Sequence, residues 1–302
     1  MREAKAFVPG HISGFFQICD EASELERKGS RNCGPCIKAG VLTEIAVVPS
    51  NRVNVEVFIN GRKAPEAQTT LAAIQQILRI APKPAKVTVR HSAHVPIGAG
   101  YGASGAEAFG AALALSEALD LGLARSKIIE IAHVAEVSCR TGLGDVGAQA
   151  IGGLVIGLEP GAPPHGKWQQ IPIEQDMKIV CATLAPLSTK EILEDAELRN
   201  LSKKFGGLAL NNLLKRSTPQ DFMKVSYEFS EALGLLDDEL YALIDAAKSA
   251  GAIDASMVML GKAVFALVKA SELEQVKHAF SELVDPNAIL TTDFDLTGAR
   301  LV

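Results

Sequence analysis

Apolar positions along this chain recur with two periods that alternate several times. Ile45-Ala-Val-Val-Pro49 and Asn54-Val-Glu-Val-Phe-Ile-Asn60 read as strands, and the second ends at Asn60-Gly61, a hairpin-turn pair. Residues 69–80 switch to three-and-four spacing, the mark of an amphipathic helix, and Lys86-Val-Thr-Val-Arg90 alternates again. From Ala106 to Leu119 the helical period returns through Phe109, Ala112, Leu113 and Ser116. A turn at Asp120-Leu-Gly122 leads into a second helical pattern from Ser126 to about Ser138. Gly152–Leu158 and Lys178–Leu184 read as strands, and residues 189–215, 219–234 and 237–249 as helices. Ser256–Leu260 and Ala263–Val268 form a predicted hairpin around Gly261-Lys262, and 271–283 a closing helix. Strands and helices interspersed without regular βαβ repetition predict an α+β fold over a doubly wound sheet. Glu159–Lys167, dense in proline and glycine, suits a hairpin loop or a boundary, which gives two units, 1–165 and 166–302.

Composition narrows the function classes. A net charge of −5 with no Lys/Arg block gives nucleic-acid binding little support. No apolar leader follows Met1, and the most apolar stretch, 106–124, is broken by Glu107, Glu117 and Asp120, so neither a signal segment nor a membrane span is expected. The expected setting is cytoplasmic. Five cysteines do not make a secreted disulfide framework. Cys33-Gly-Pro-Cys36 carries a thioredoxin-type dipeptide, but its flank, Glu26–Asn32, reads as a charged turn where a redox site needs a strand. The favoured reading is a loop holding two thiols or a local disulfide. Cys19, Cys139 and Cys181 sit among apolar residues and read as core.

The chemistry concentrates in Val95–Glu107, where Gly98, Gly100, Gly102 and Gly105 precede a helix. Ser104-Gly-Ala-Glu107 matches a capping box, which would start that helix at Ser104. A glycine loop opening a helix is an anion site, because free N–H groups and the positive dipole end favour phosphate. A Walker A loop is excluded, since no lysine follows the glycines. Gly100-Tyr-Gly102-Ala-Ser-Gly105 fits the dinucleotide fingerprint Gly-x-Gly-x-x-Gly, yet a turn and a second helix stand where that motif needs a strand ending in an acid.

A third phosphate loop fits better. Pro96, Gly100, Gly102 and Ser104 stand in register with the Pro-x-x-x-Gly-Leu-Gly-Ser-Ser-Ala loop of the GHMP kinases, Tyr101 replacing Leu, Ala103 the first Ser and Gly105 the Ala, with Ala106 one place beyond. Phe7-Val-Pro-Gly-His-Ile-Ser-Gly-Phe-Phe16 resembles the opening motif of that family, with His11 in place of its lysine. Thr141-Gly-Leu-Gly-Asp145-Val-Gly-Ala-Gln-Ala-Ile-Gly-Gly153 resembles the segment carrying its catalytic aspartate. Within the family, the opening, the Thr-Gly-Leu-Gly-Asp-Val run and Ser256-Met-Val-Met-Leu-Gly261 look most like the archaeal members that act on pantoate.

The resemblance implies a mixed N-terminal domain, a ferredoxin-like C-terminal domain and an active site between them. It implies ATP and magnesium, with Pro96, Gly98, Ala99, Gly100, Tyr101, Gly102, Ala103, Ser104 and Gly105 around the phosphates. Asp145 would take or orient the acceptor hydroxyl, although aspartate among glycines also suits an Asx turn. Ser104 is the first metal candidate, its plain alternative being a helix cap. Glu130 and Glu136 are about 240° apart on one helix and cannot share a site, so Glu136, nearer the Asp145 loop, is taken as the second. Ser30, His133 and Thr189 are the candidate contacts to the substrate, His133 because it stands three residues before Glu136. Arg31 and Arg140 are further candidate cations, while Met257 and Met259 read as core. The partners expected are pantoate and ATP, with a second copy of the chain in a homodimer left open. Other readings are a shikimate, mevalonate or homoserine type of kinase, an oxidoreductase using Cys33–Cys36 or Gly-x-Gly-x-x-Gly, and a nucleotide sensor without turnover.

Overall fold

A computed structural model describes residues 1–187 and 195–302. The first unit is built on β3 (Gly29–Pro49), a strand of 21 residues that serves two neighbourhoods. Its second half lies between β1 (Arg2–His11) and β6 (Ala85–Ala93), both antiparallel to it. Its first half pairs with β2 (Phe15–Cys19) and with β7 (Leu154–Glu159). Beyond β6 come β4 (Asn54–Ile59), parallel to it, and the short β5 (Arg62–Lys63). Between Pro9 and Gly10 the register jumps from Gly40 to Ile37, leaving Lys38 and Ala39 of β3 unpaired opposite β1, and His11 follows opposite Cys36.

Four helices follow the sheet: α1 (Gln68–Ile80), α2 (Ala103–Ala118), α3 (Arg125–Cys139) and α4 (Asp145–Ile151). Residues of α2 are buried on nearly every side, as its alanine-rich, uniformly apolar sequence requires. It packs against β1 and β3 below and against α1 and α3 beside it. Val8, Val41, Ile45, Val87, Val89, Ile74, Ile77 and Phe109 form the core of this unit.

β8 (Lys167–Ile171) still pairs with β7, so the Pro/Gly-dense loop closes a hairpin within the first sheet. The chain enters its second sheet at β9 (Met177–Ala185). That sheet has the order β10 (Asp254–Met257), β11 (Lys262–Lys269), β9, β12 (Ile289–Thr292), all antiparallel. With α5 (Ala196–Leu213), α6 (Pro219–Ala232), α7 (Asp238–Ser249) and α8 (Leu273–Ser281) it forms the ferredoxin-like half of an α+β fold. The last strand, β13 (Arg300–Leu301), returns to pair with β1.

Two expectations are corrected here. Cys33-Gly-Pro-Cys36 lies inside β3, where a loop was expected, with a short 3-10 turn at Leu25–Arg27 ahead of it. Positions i and i+3 of a strand point to opposite faces, and both thiols are free and fully buried. Cys33 joins the large core that includes Phe15 and Phe265, whereas Cys36 packs with Ala148 and Val155. Burial drives both thiols well above their ordinary range, the opposite of what a reactive thiolate needs. No described helix is long and apolar enough to cross a membrane.

Candidate active site

The glycine loop runs from the end of β6 into α2. Gly98, Gly100 and Gly102 all adopt left-handed backbone, φ +74°, +84° and +64°. Gly102 is the N-cap, and no side chain caps the helix. The expected capping box is therefore not formed. Ser104 stands inside the first turn, and its Oγ donates to Glu136 Oε1 at 2.8 Å instead of capping the helix. Glu107 falls in the second turn. The first N–H groups of α2 have no partner within the helix by geometry, so the 16-residue helix offers donors and a positive end to an anion.

The second unit closes on this loop. A Cβ on Gly100 would lie 2.7 Å from the Met259 carbonyl oxygen, and one on Gly261 only 2.0 Å from that of Ala99. Tyr101, standing where the family carries leucine, is buried beneath the loop, and its hydroxyl is hydrogen-bonded to Thr183 Oγ1 of β9 at 2.8 Å. The Leu187 N–H donates to the Gly98 carbonyl at 2.9 Å. Met257 and Met259 are buried, as core residues should be.

α3 stops at Arg140, in left-handed backbone, and the loop 141–144 brings Asp145 to the first position of α4. His11, the last residue of β1, donates from Nδ1 to Asp145 Oδ1 at 2.7 Å. The carboxylate partner fixes that tautomer. His11 is fully buried and its Nε2 has no hydrogen-bond partner among the described residues. Gln149 donates to the Gly102 carbonyl at 2.8 Å, tying α4 to the N-cap of α2. A Cβ on Gly102 would meet the Asp145 carboxyl at 3.3 Å, and one on Gly105 would meet Glu136 Oε2 at 2.9 Å. The two acids thus face successive positions at the start of α2. Burial, reinforced by the charge of Asp145 and opposed by the Ser104 bond, pushes Glu136 up to about 8.

A cleft of about 380 Å³ opens over these groups. Its wall includes Gly98, Gly100, Tyr101, Gly102, Ala103 and Ser104 from the loop, while Ala99 and Gly105 are buried and Pro96, half-buried, does not line it. Asp145 lines it with Ser30, Asn32, Phe16, Leu143 and Gly144. The Ser30 N–H donates to the Leu143 carbonyl at 3.0 Å, and Gly144 is so close that a Cβ there would sit 2.3 Å from Ser30 Oγ. His133 is not on this wall. Three residues is not quite a full helical turn, so His133 diverges from Glu136, and its Nε2 donates to the Lys28 carbonyl at 2.8 Å. It braces the segment that carries Ser30. Thr189 lies outside the described residues. Glu130 is solvated, paired with Lys127 at 2.5 Å, and Arg140 lines the cleft whereas Arg31 does not.

Magnesium fits this donor set. Among the described residues no group of three His, Cys, Asp or Glu gathers as a protein-only metal cage. A buried carboxyl beside a serine hydroxyl, with a second acid close by, is what a hard cation shared with phosphate oxygens uses. Three groups in the site carry no sequence signal: His11 as the partner of Asp145, Asn32, and Glu107 in the cleft wall. The first needs a contact across 134 residues, and the other two are isolated polar residues in apolar or irregular sequence.

Comparison with known proteins agrees with this geometry. The descriptions GHMP kinases N terminal domain and GHMP kinases C terminal match residues 68–153 and 209–285. Pantoate kinase of Methanocaldococcus jannaschii is 33% identical over 283 residues, covering 93% of this chain and 97% of that protein. Pantoate kinase of Thermococcus kodakarensis is 33% identical over 285 residues, with 92% of each chain covered. A solved structure described as a phosphotransferase related to the CoA biosynthesis pathway superposes with TM-score 0.89 at 28% identity, covering 99% of this chain and 98% of that one. The chain belongs to the GHMP kinase family.

Proposed function

We propose that this protein is an ATP-dependent kinase that phosphorylates the primary hydroxyl of pantoate to give 4-phosphopantoate. The observation that carries the reading is Asp145, held by His11 at 2.7 Å and placed at the anion-binding start of α2 beside the Ser104–Glu136 pair. Backbone N–H groups of the glycine loop and α2 hold the phosphates. Ser104 and Glu136 hold magnesium, which when bound neutralises phosphate charge. Asp145 orients the acceptor hydroxyl and takes its proton as the phosphoryl group leaves ATP. On the acceptor side Ser30 offers a hydroxyl to the carboxylate of a small hydroxy acid, with Thr189 proposed as a further contact. His133 supports Ser30 through the Lys28 carbonyl. The buried, oppositely directed thiols of Cys33 and Cys36 give a redox reading nothing to work with.

The test is ADP release with pantoate, mevalonate, homoserine and shikimate, each over a range of concentrations. Pantoate is expected to give a kcat/KM at least about a hundredfold above the others, as a site built to pair a specific polar group allows. Asp145→Ala should retain ATP binding and lose about 10³-fold or more in turnover. A folded Asp145→Ala protein with full activity, or a preference for another acceptor, sinks the reading.

A further inference from the structure

Glu107 lines the same cleft and takes no part in the chemistry derived above. It is only 7% exposed, and its Oε1 is buried with no hydrogen-bond partner among the described residues. A buried acceptor left open in a ligand cleft calls for a donor from the ligand. Magnesium is no hydrogen-bond donor, and among the described residues Glu107 forms no group of three with Glu136 and Asp145.

Its place along α2 says which part of the ligand it meets. Gly102 faces the Asp145 carboxyl, and Ser104 and Gly105 face Glu136. Glu107 comes three residues after Ser104, about 4.5 Å further along the axis and close to the same face. The order from the helix start is therefore transfer end, metal end, Glu107. A nucleotide with its terminal phosphate at Asp145 and its bridged phosphates at Ser104 and Glu136 directs its nucleoside towards Glu107. Phosphate oxygens have only lone pairs to offer a carboxylate, and the positive field of a helix end fades within its first turn. The nucleoside carries donors, in the ribose hydroxyls and the exocyclic amine of the base.

Resting on the kinase reading, we propose that Glu107 is a specificity-determining residue that accepts a hydrogen bond from the nucleoside of the phosphoryl donor. Its test is nucleotide binding in the absence of acceptor, measured by calorimetry with ATP, 2′-deoxyATP and ITP in the presence of magnesium. Wild type, Glu107→Ala, Glu107→Met and Glu107→Gln are compared. Methionine keeps the length without an acceptor, so it serves if alanine destabilises the helix. Both Ala and Met variants are expected to bind ATP about tenfold more weakly, the scale of one hydrogen bond to a charged group. They should also lose the wild-type discrimination against one analogue: 2′-deoxyATP if the ribose is read, ITP if the base amine is. Gln, which keeps a carbonyl acceptor, should restore most of both, and the KM for pantoate should stay within about twofold throughout. Wild-type affinity ratios among the three nucleotides in both the Ala and Met variants overturn the proposal. A wild type that binds none of them removes the kinase reading instead, so the two failures are distinguishable.

Discussion

His11 and Asp145 share a hydrogen bond of 2.7 Å across 134 residues, and in the proposed mechanism the reactivity of the site turns on that contact. The imidazole is fully buried, so it cannot swing away, and it holds one carboxylate oxygen while the other is left for the acceptor hydroxyl. Removing the ring frees the carboxylate to rotate. His11→Ala should therefore lower kcat by about 10–10²-fold with little change in the KM for ATP, the scale of a small misplacement of a reacting group. An unchanged kcat in a folded variant would return His11 to a packing role. Glu136 gives a second test at this scale, through pH. Its folded value is raised from 4.5 to about 8, so between those values the folded protein keeps a proton that the unfolded chain has released. Stability without nucleotide or metal should fall as pH rises through that interval and level off above 8. Glu107, raised by burial to about 7, acts with the same sign but only up to about pH 7. Glu136→Gln should thus remove the fall between pH 7 and 8 in denaturant titrations, whereas profiles parallel to wild type would contradict the assignment. The sequence singles out Asp145, Ser104 and Glu136, which the fold brings together, because each lies in or beside a glycine-rich motif of fixed spacing. The ring that orients Asp145 is not legible, because nothing local to residue 11 announces a partner in α4.

At the scale of elements, most helices and the strands β9 and β11 follow the hydrophobic period, whereas α4, β8 and β12 are not read from it and two local rules give the wrong detail. The capping box fails because Gly102 in left-handed backbone already starts α2, which releases Ser104 for Glu136. The first half of β3 escapes notice because Gly29–Cys36 mixes glycine, proline, charge and thiol without alternation; its pairing with β2 and β7 supplies what local propensity does not. The loop between β6 and α2 also depends on a tertiary tie. Tyr101 is bonded to Thr183, and its ring fills the space under the loop. Tyr101→Phe keeps the ring and deletes the bond, leaving the threonine hydroxyl without its partner. A loss of about 1 kcal/mol in global stability is expected from denaturant unfolding. A larger proportional effect should appear in the KM for ATP than in that for pantoate, since the loop holds the phosphates. Equal changes in both constants would show that the tie acts on the fold as a whole and not on the loop.

For the whole molecule, the question is what keeps two sheets in register around one cleft. The interspersed periods are enough to read an α+β fold, but residues 293–301 have no period, and their role emerges only in three dimensions. Leaving β12 in the second sheet, the chain crosses back to β13 in the first, and Asp295 anchors the crossing. Its buried carboxylate accepts from the N–H groups of Thr297 and Gly298 at 3.0 and 2.8 Å and pairs with Arg300 at 3.0 Å. Its backbone donates to the Cys36 carbonyl at 2.9 Å and accepts from Gly153 at 2.7 Å. The Ala299 N–H then reaches the Gln149 carbonyl at 2.8 Å, and Arg125 bonds the carbonyls of Ala150 and Ala299 at 2.9 Å. These contacts fix the C-terminal end of α4, the helix whose first residue is Asp145. Asp295→Ala removes the anchor and strands two inward-facing N–H groups, a loss of about 2–4 kcal/mol; because Arg300 is partly solvated, the lower end is expected. If the tail positions Asp145 as well as stabilising the fold, kcat measured well below the melting temperature should fall about tenfold while the KM for ATP, set on the proposed reading by the glycine loop and Ser104, holds. Asp295→Asn keeps an acceptor for the two N–H groups and should recover most of the turnover. A variant that melts early yet turns over normally at low temperature would make the tail a clamp on the fold alone, with no hold on the catalytic carboxylate.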